Sequence, residues 1–408
     1  MNAARPAGAC GATGDAGTDG PLLATETTVR ESAPATSGFN DAFDTLADPA
    51  VRDLAWLLFS ADLLRAQPPL APLAQWWTNA QEAHAAHDWL VQLDHDPVHL
   101  HEALAASPTN RLGRYAEILL GWFLANGPAA RLVAQNVALR HAGRTLGECD
   151  FLVRVRTGEC LHWELAVKCY LHVGSPDGQR ASLAEYVGPN LRDRFDLKLA
   201  HLRDHQLRLT TREEFASLGY GGPWLAQMFV KGWLFYRAGE AASARVEDAP
   251  ELAADHGRGW WVTRSDWPAF ARQQPAGGWS VLPRLAWLAP RRLAGGATPG
   301  DQGEDIAADR SAPSGVVAHA TNSDPPASAS TAQVASDNDR AQPANFAAST
   351  ALAAPADPEA ILAALTRPQD PVLLAAFTRD GAGAWREQSR GFIVPDDWPA
   401  RAVAFAHQ

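Results

Sequence analysis

The chain has 408 residues, of which 46% are hydrophobic, and its formal net charge at pH 7 is −11. This length and the fifteen tryptophans are sufficient for two or three domains with a buried core. The acidic balance argues against a protein that coats nucleic acid, and no apolar run approaches the ~18 residues of a membrane span.

The four cysteines are too few for a disulfide framework. Three of them, Cys149, Cys160 and Cys169, lie close together in the sequence without the spacing of a zinc finger. The N-terminus also lacks the charged and apolar segments of a signal peptide. We therefore expect a reduced, cytoplasmic protein with no membrane partner.

Residues 1–40 are rich in Ala, Gly and Thr, which predicts a disordered tail. Between residues 41 and 106 the apolar side chains recur at helical spacing, and this pattern predicts an N-terminal helical region. The apolar stripe that carries the prediction consists of Leu46, Val51, Leu54, Leu57, Leu58 and Leu63.

Residues 107–237 predict the core of an α/β protein, in which a mixed sheet is flanked by helices. Ser107-Pro108 is typical of a helix start, and Asn126-Gly127-Pro128 of a helix end. Three strands follow, then a helix that begins near Gly188, and then a fourth strand. The predicted strands are 132–140, 150–156, 161–168 and 228–236.

A second stretch of biased composition covers residues 295–356 and predicts a disordered insertion. It divides a strand-rich C-terminal region into two segments, 238–294 and 357–408. Each segment contains a predicted strand followed by Asp-Trp-Pro, which makes a small internal repeat. The repeat predicts that the second segment folds back onto the first.

The two tryptophans of the repeat, Trp267 and Trp398, allow two interpretations. They either form a paired binding surface or pack separately, each under its own turn. We favour separate packing because a buried tryptophan next to a turn is the commoner arrangement.

Lysine is scarce: only Lys168, Lys198 and Lys231 accompany the arginines among the 35 basic residues. A surviving lysine is therefore enriched for positions where a compact charge with an adjustable pKa is required. Lys168 follows Glu164 by four residues on a predicted strand, and Asp150 lies on the strand before it. Residues 111–210 also contain more basic than acidic residues, 14 Lys and Arg against 10 Asp and Glu. This local excess of positive charge is compatible with a nucleic-acid partner.

The length of the turn between these two strands decides whether the three side chains meet. A three-residue turn at 157–159 would place Asp150 opposite Ala166, on the same face of the sheet. Glu164 and Lys168 would then be its diagonal neighbours, roughly 7–8 Å away between backbones.

The preceding helix carries Glu117, which would add a third carboxylate or pair with Arg114 three residues earlier. The other two acids also have structural alternatives: Asp150 could start a strand, and Glu164 could join a salt-bridge network. Gathered together, the carboxylates would bind Mg²⁺ or Mn²⁺ through oxygen, and Lys168 would stabilise developing negative charge.

Three segments resemble the PD-(D/E)xK nuclease-like superfamily: Gly113-Arg-Tyr-Ala-Glu117, Gly147-Glu-Cys-Asp150 and Trp163-Glu-Leu-Ala-Val-Lys168. The predicted order helix-strand-strand-strand-helix-strand is similar to the restriction-endonuclease-like core of that superfamily. The wider chain resembles an uncharacterised bacterial family, domain-of-unknown-function family 1853, for example in Val187-Gly-Pro-Asn-Leu-Arg-Asp-Arg194 and Gly391-Phe-Ile-Val-Pro395.

The superfamily resemblance implies that Asp150 and Glu164 ligate the metal, that Glu117 assists and that Lys168 is the catalytic lysine. The implied function is a divalent-metal-dependent phosphodiesterase that acts on nucleic acid. The usual pattern has lysine two residues after the acid, where this chain has Ala166. Either Lys168 substitutes from the same face, or the fold serves as an inactive binding or scaffold module.

Overall fold

The computed structural model describes residues 45–66, 72–77, 79–174, 180–238, 247–294 and 350–408. The predicted tail and residues 295–349 of the predicted insertion lie outside these ranges. Residues 350–356 are described, and Ala356 forms a bridge with Trp279.

Helices come first in the described part of the chain. They are α1 (Pro49–Phe59), α2 (Ala80–His95), α3 (Val98–Ala106) and α4 (Leu112–Asn126). The carboxylate of Asp48 caps α1 by accepting hydrogen bonds from the N–H groups of Ala50 and Val51 at 2.9 and 3.0 Å. All six residues of the predicted apolar stripe are buried.

The helix start predicted at Ser107-Pro108 is wrong, whereas the predicted end is confirmed. The helix α4 begins at Leu112 after Arg111, and no side chain caps it. It ends at Asn126, and Gly127 donates its N–H to the Phe123 carbonyl at 2.7 Å.

Ten strands of the described chain form one mixed sheet, so the predicted α/β class with a mixed sheet flanked by helices is confirmed. The strands are β1 (Arg131–His141), β2 (Arg144–Arg154), β3 (Cys160–His172), β4 (Tyr186–Val187), β5 (Trp224–Arg237), β6 (Gly257–Thr263), β7 (Gly278–Val281), β8 (Arg292–Leu293), β9 (Val372–Arg379) and β10 (Trp385–Val394). The remaining α-helices of the described chain are α5 (Phe195–Asp204), α6 (Glu213–Ala216), α7 (Trp267–Gln273), α8 (Pro358–Ala364) and α9 (Trp398–Ala406), and short 3₁₀ helices cover Leu183–Glu185, Gln206–Thr211 and Arg284–Ala286.

The spatial order of the strands is β1-β2-β3-β5-β6-β10-β9-β7, with β4 beside β3 and β8 beside β10. The strands β3, β5, β6 and β10 run parallel to their neighbours in this series, and the pairs on either side of them are antiparallel. The C-terminal strands therefore extend the sheet of residues 107–237. No helix of the described residues is both long and apolar enough to cross a membrane.

The internal repeat places its two strands side by side, since β6 and β10 pair in parallel with Phe392 level with Trp261. The C-terminal segment thus folds back as predicted. Trp267 packs with Trp260 on one face of the sheet, and Trp398 packs with Trp261 on the other. Both are buried, so they pack separately, on opposite faces of β6.

The predicted turn between β2 and β3 is wrong by one residue. Val155 donates its N–H to the Glu159 carbonyl at 3.1 Å, which makes residues 156–158 the loop. Gly158 has a φ of +91°, and glycine in this conformation is typical of the last position of a three-residue hairpin loop. Arg154 rather than Arg156 consequently pairs with Cys160.

Buried charge connects the N-terminal helices to the chain between β7 and β8. The carboxylate of Asp53 accepts hydrogen bonds from the Ala289 N–H at 3.0 Å, the Tyr115 hydroxyl at 2.9 Å and the Arg291 guanidinium at 3.0 Å. Asp53 and Arg291 are both buried, so each depends on the other for a counter-charge.

We predict that Asp53→Ala lowers the free energy of unfolding by about 3–5 kcal/mol, because it leaves the Arg291 charge buried without its partner. Urea denaturation followed by circular dichroism measures the change. Asp204→Ala is the control, since Asp204 pairs with Arg203 on the exposed surface and should cause no measurable change. A loss below about 1 kcal/mol for Asp53→Ala would contradict the assigned role.

Candidate functional site

The strands β2 and β3 separate after Phe151 and Trp163, the last residues of their ladder. We call this position the strand fork. Beyond it β2 continues to pair with β1, and β3 continues to pair with β5. Extending the register places Asp150 level with Glu164, two residues from the predicted partner Ala166. Since the shift is even, Asp150 and Glu164 still share one face of the sheet.

Side chains take over the hydrogen bonding at the strand fork. Leu165 donates its backbone N–H to Oδ2 of Asp150 at 2.9 Å, and Asp150 donates its own N–H to Oε1 of Glu164 at 3.4 Å. The two carboxylates thus satisfy backbone donors that a continued ladder would have satisfied.

Across β1, Asn136 lies level with Asp150 and has a φ of +53°. A left-handed residue inside a strand is uncommon, and such positions are enriched at functional sites. Oδ1 of Asn136 accepts a hydrogen bond from Nη1 of Arg114 at 3.2 Å, and the same nitrogen donates to Glu117 at 2.9 Å. Glu117 therefore forms the predicted pair with Arg114 and also lies beside the strand fork.

Glu164 is fully buried, and hydrogen bonds occupy both of its oxygens. Nε2 of His162 lies 2.7 Å from Oε1, and Nε2 of Gln206 donates to Oε2 at 2.6 Å. Oε1 of Gln206 accepts in turn from Nζ of Lys198 at 2.9 Å. A short chain of hydrogen bonds thus joins Glu164 to Lys198, which lies on α5.

The electrostatics of the site favour the addition of positive charge. Burial raises the pKa of both Asp150 and Glu164 to about 8, and the neighbouring Glu164 charge adds to the shift of Asp150. Glu117 raises both pKa values further. Burial lowers the pKa of Lys198, with a second contribution from the charge of Lys168.

The other two lysines have different partners. Nζ of Lys168 donates to Oδ2 of Asp193 at 2.6 Å, so its charge is engaged away from the two carboxylates. Lys231 is buried near the end of α1, 3.4 Å from Asp62. Of the three, Lys198 is the one joined to Glu164 by hydrogen bonds through Gln206.

Softer metal ligands also lie at this position. One ligand atom each of Cys149, His162 and Glu164 lies within 4.8 Å of the other two. Burial raises the pKa of the Cys149 thiol to about 12 and lowers that of His162 to about 4, so both groups are neutral at pH 7. A metal that prefers sulfur and nitrogen, such as Zn²⁺, would suit this set of ligands better than Mg²⁺ does.

The sequence prediction gave no role beside Glu164 to three residues that the structure connects to it: Lys198, Gln206 and His162. The alternation of β3 carried a signal for His162, because it is two residues before Glu164 and must share its face. Lys198 and Gln206 lie in a mixed-charge segment that is typical of a solvent-exposed helix, so their roles depend on how that segment packs over β3.

The region that a protein-family model matches includes every strand of the sheet described above. The model of a domain of unknown function, DUF1853, matches residues 52–394. The chain belongs to the DUF1853 family. Neither a curated protein nor a solved structure matches this DUF1853 chain. The matched region runs from α1 to the end of β10 and includes the strand fork with both carboxylates.

We predict that Asp150→Asn stabilises the protein at pH 8.5 more than at pH 5, with EDTA present. A carboxyl group whose pKa is raised on folding contributes stability at low pH, and that contribution is lost as the pH rises from about 4 through about 8. Asparagine keeps an oxygen acceptor for the Leu165 N–H but cannot ionise.

Melting temperatures of the two proteins at both pH values measure this effect. Glu148→Gln serves as the control, because Glu148 is an exposed carboxylate on the same strand. Equal shifts for Asp150→Asn at pH 5 and pH 8.5 would rule out the raised pKa.

Proposed function

We propose that this DUF1853 protein is a divalent-metal-dependent phosphodiesterase with a restriction-endonuclease-like core, acting on nucleic acid. The observation that carries the proposal is the strand fork, which holds the half-buried carboxylate of Asp150 beside the buried carboxylate of Glu164. The resemblance to the PD-(D/E)xK superfamily concerns the same two residues. Their raised pKa values add support, because a bound cation would offset the repulsion between them.

The residues at the strand fork fit a hard cation. Asp150 and Glu164 would hold it, with Glu117 assisting, since carboxylate oxygens are the ligands that Mg²⁺ and Mn²⁺ prefer. Gln206 now donates to Glu164, so its amide would have to leave Oε2 for that oxygen to become a ligand. A bound divalent cation supplies Lewis acidity and lowers the pKa of water.

We assign the role of catalytic lysine to Lys198 instead of Lys168. In hydrolysis a water oxygen forms a bond to phosphorus, and the ester bond to the leaving oxygen breaks. Lys198 would stabilise the charge on the phosphoryl oxygens and give a proton to the leaving oxygen, while the proton from the water passes to solvent. Its lowered pKa suits proton transfer, and its link to Gln206 keeps it beside Glu164.

A second function remains open because Glu164 is completely buried and both its oxygens already have partners. In that case the fold is a nuclease-like scaffold without catalysis, and the hydrogen bonds at the strand fork only support the sheet.

Cleavage and metal binding by the purified full-length protein distinguish the two functions. We expect Mg²⁺ or Mn²⁺ to bind in calorimetry and to activate cleavage of DNA or RNA. Zn²⁺ is the third metal tested, since preferential Zn²⁺ binding would point to Cys149, His162 and Glu164 as the ligands. Wild-type protein that neither binds a divalent metal nor cleaves any nucleic acid would support the scaffold.

Variants test the assigned roles. Asp150→Ala should abolish both metal binding and cleavage, whereas Lys198→Ala should retain the metal and lower kcat by about 10²–10⁴. Lys168→Ala should reduce kcat less than Lys198→Ala does. Glu148→Ala is the matched control on β2 and should behave as wild type. Full activity of Lys198→Ala would remove this lysine from the mechanism.

A further inference from the structure

A cavity of about 540 Å³ lies beside β3 beyond the strand fork. Val167, Lys168 and Cys169 form one wall. Alternate residues of a strand direct their backbone groups to opposite sides, and Leu165 directs its N–H toward Asp150 of β2. Val167 and Cys169 therefore face the side from which β2 has separated. The cavity occupies the gap that this separation leaves.

The charge of this cavity is strongly positive. Arg111, Lys168, Arg192 and Arg284 line it, against the single carboxylate of Asp193. Lys168 already pairs with Asp193. Within the ranges that the structure describes, the three arginines form no ion pair, and all three are exposed. Three positively charged side chains thus line one cleft, and no carboxylate of the described residues pairs with them.

The start of α4 contributes to the same wall. Arg111, Leu112 and Gly113 line the cavity, and no side chain caps this helix end. The first N–H groups of a helix have no partner within the helix and carry its partial positive charge. The space over Gly113 is open, since an added Cβ would meet no atom within 4 Å.

The positive surface continues into a second cavity of about 350 Å³. Arg192 and Arg284 line both cavities, whereas the second is also lined by Asp370 and by Arg401, which pairs with Asp397. An aromatic side chain accompanies them: Trp287 lines the first cavity, with the Arg284 guanidinium 5.0 Å from its ring centroid. Trp287 is itself buried, so the positive charge is the feature of this groove that is typical of proteins that bind single-stranded nucleic acid.

We propose that this cleft binds the phosphate groups of a single-stranded nucleic acid adjacent to the scissile phosphate. The inference rests on the proposed function and names its substrate class. Lys168 lies four residues along β3 from Glu164, which is about 13 Å, so a strand held in the cleft leads toward the carboxylates. We choose a single strand over a duplex because a positively charged groove that follows one backbone is typical of proteins that bind unpaired nucleotides.

Binding measured without metal tests the cleft separately from catalysis. A fluorescein-labelled single-stranded oligonucleotide is titrated with the full-length protein in EDTA at several salt concentrations, and its anisotropy is followed. The triple variant Arg111→Ala, Arg192→Ala, Arg284→Ala should bind at least about tenfold more weakly at low salt. The slope of log K against log salt should fall by about 0.7 for each arginine removed.

Two further variants control for charge and folding. Arg203→Ala with Arg272→Ala removes two exposed arginines outside the cleft and should leave the affinity close to that of wild type. Replacing the three cleft arginines by lysine should restore most of the salt dependence, because a point charge is sufficient for a phosphate. Unchanged thermal melting of every variant shows that the loss is not unfolding.

Each outcome bears on one proposal. If wild type does not bind, or if the triple variant binds as tightly as wild type, the cleft proposal falls. If a duplex of the same sequence binds as tightly and responds equally to the variants, the single-strand assignment falls. Binding that depends on the arginines without any metal-dependent cleavage would keep the cleft and refute the phosphodiesterase. Metal-dependent cleavage with an unchanged KM in the triple variant would keep the phosphodiesterase and refute the cleft.

Discussion

Backbone polar groups must find partners where two strands of one sheet separate, and this requirement governs the structure around Asp150 and Glu164. Each of the two residues supplies a carboxylate oxygen to a backbone N–H of the opposite strand. The arrangement puts a half-buried and a fully buried acid side by side, so burial raises the pKa of both. The same separation leaves one side of β3 open, and the cavity lined by Arg111, Arg192 and Arg284 lies there. The candidate site and the candidate substrate cleft thus share one structural cause.

A second buried charge positions the far wall of that cleft. Arg390 on β10 is 1% exposed and donates to the carbonyls of Trp287, Leu288 and Ala289 at 2.6–3.1 Å. Its guanidinium also pairs with Glu387 and lies 4.5 Å from the Trp233 ring centroid. A buried arginine that fills its donors with backbone carbonyls fixes a segment that has no regular structure of its own. Trp287, and with it the neighbouring Arg284, is held in place by a residue far away in the sequence.

The sequence predicted most elements because local patterns determine them. The apolar stripe around Leu54 required one buried face, and burial followed. The alternation of β3 predicted the strand, although residues 161–166 are buried on both of its faces. The turn was misplaced because only the left-handed conformation of Gly158 determines which residue comes last in the loop. The start of α4 was misplaced because Ser107 ends the preceding helix α3, where it donates its N–H to the Leu104 carbonyl at 3.2 Å. An error of one residue in the turn moved the partner of Asp150 by two, yet it preserved the face.

The site was harder to predict because long-range packing assembles it. Asp150, Glu164 and Glu117 were predicted as site residues from their spacing and their resemblance to a nuclease-like pattern. The structure joins Lys198 to Glu164 through Gln206, which lies eight residues beyond it in a 3₁₀ segment. No sequence period links a lysine on one element to a carboxylate on another. Lys168 has the better spacing in the sequence, but the position of Asp193 determines where its charge goes.

The order of strands in the sheet has a consequence for how the chain can be divided. The strands β9 and β10 follow residues 295–349 in the sequence but lie between β6 and β7, which precede those residues. The last described residues before that segment, in β8, pair with β10, and Ala356 after it pairs with Trp279. If the chain were cut within residues 295–349, strands that pair with each other in the sheet would lie on different fragments. Each fragment would then have strand edges whose pairing partners belong to the other fragment. Such fragments should assemble when expressed together, so the protein is a natural candidate for a split reporter.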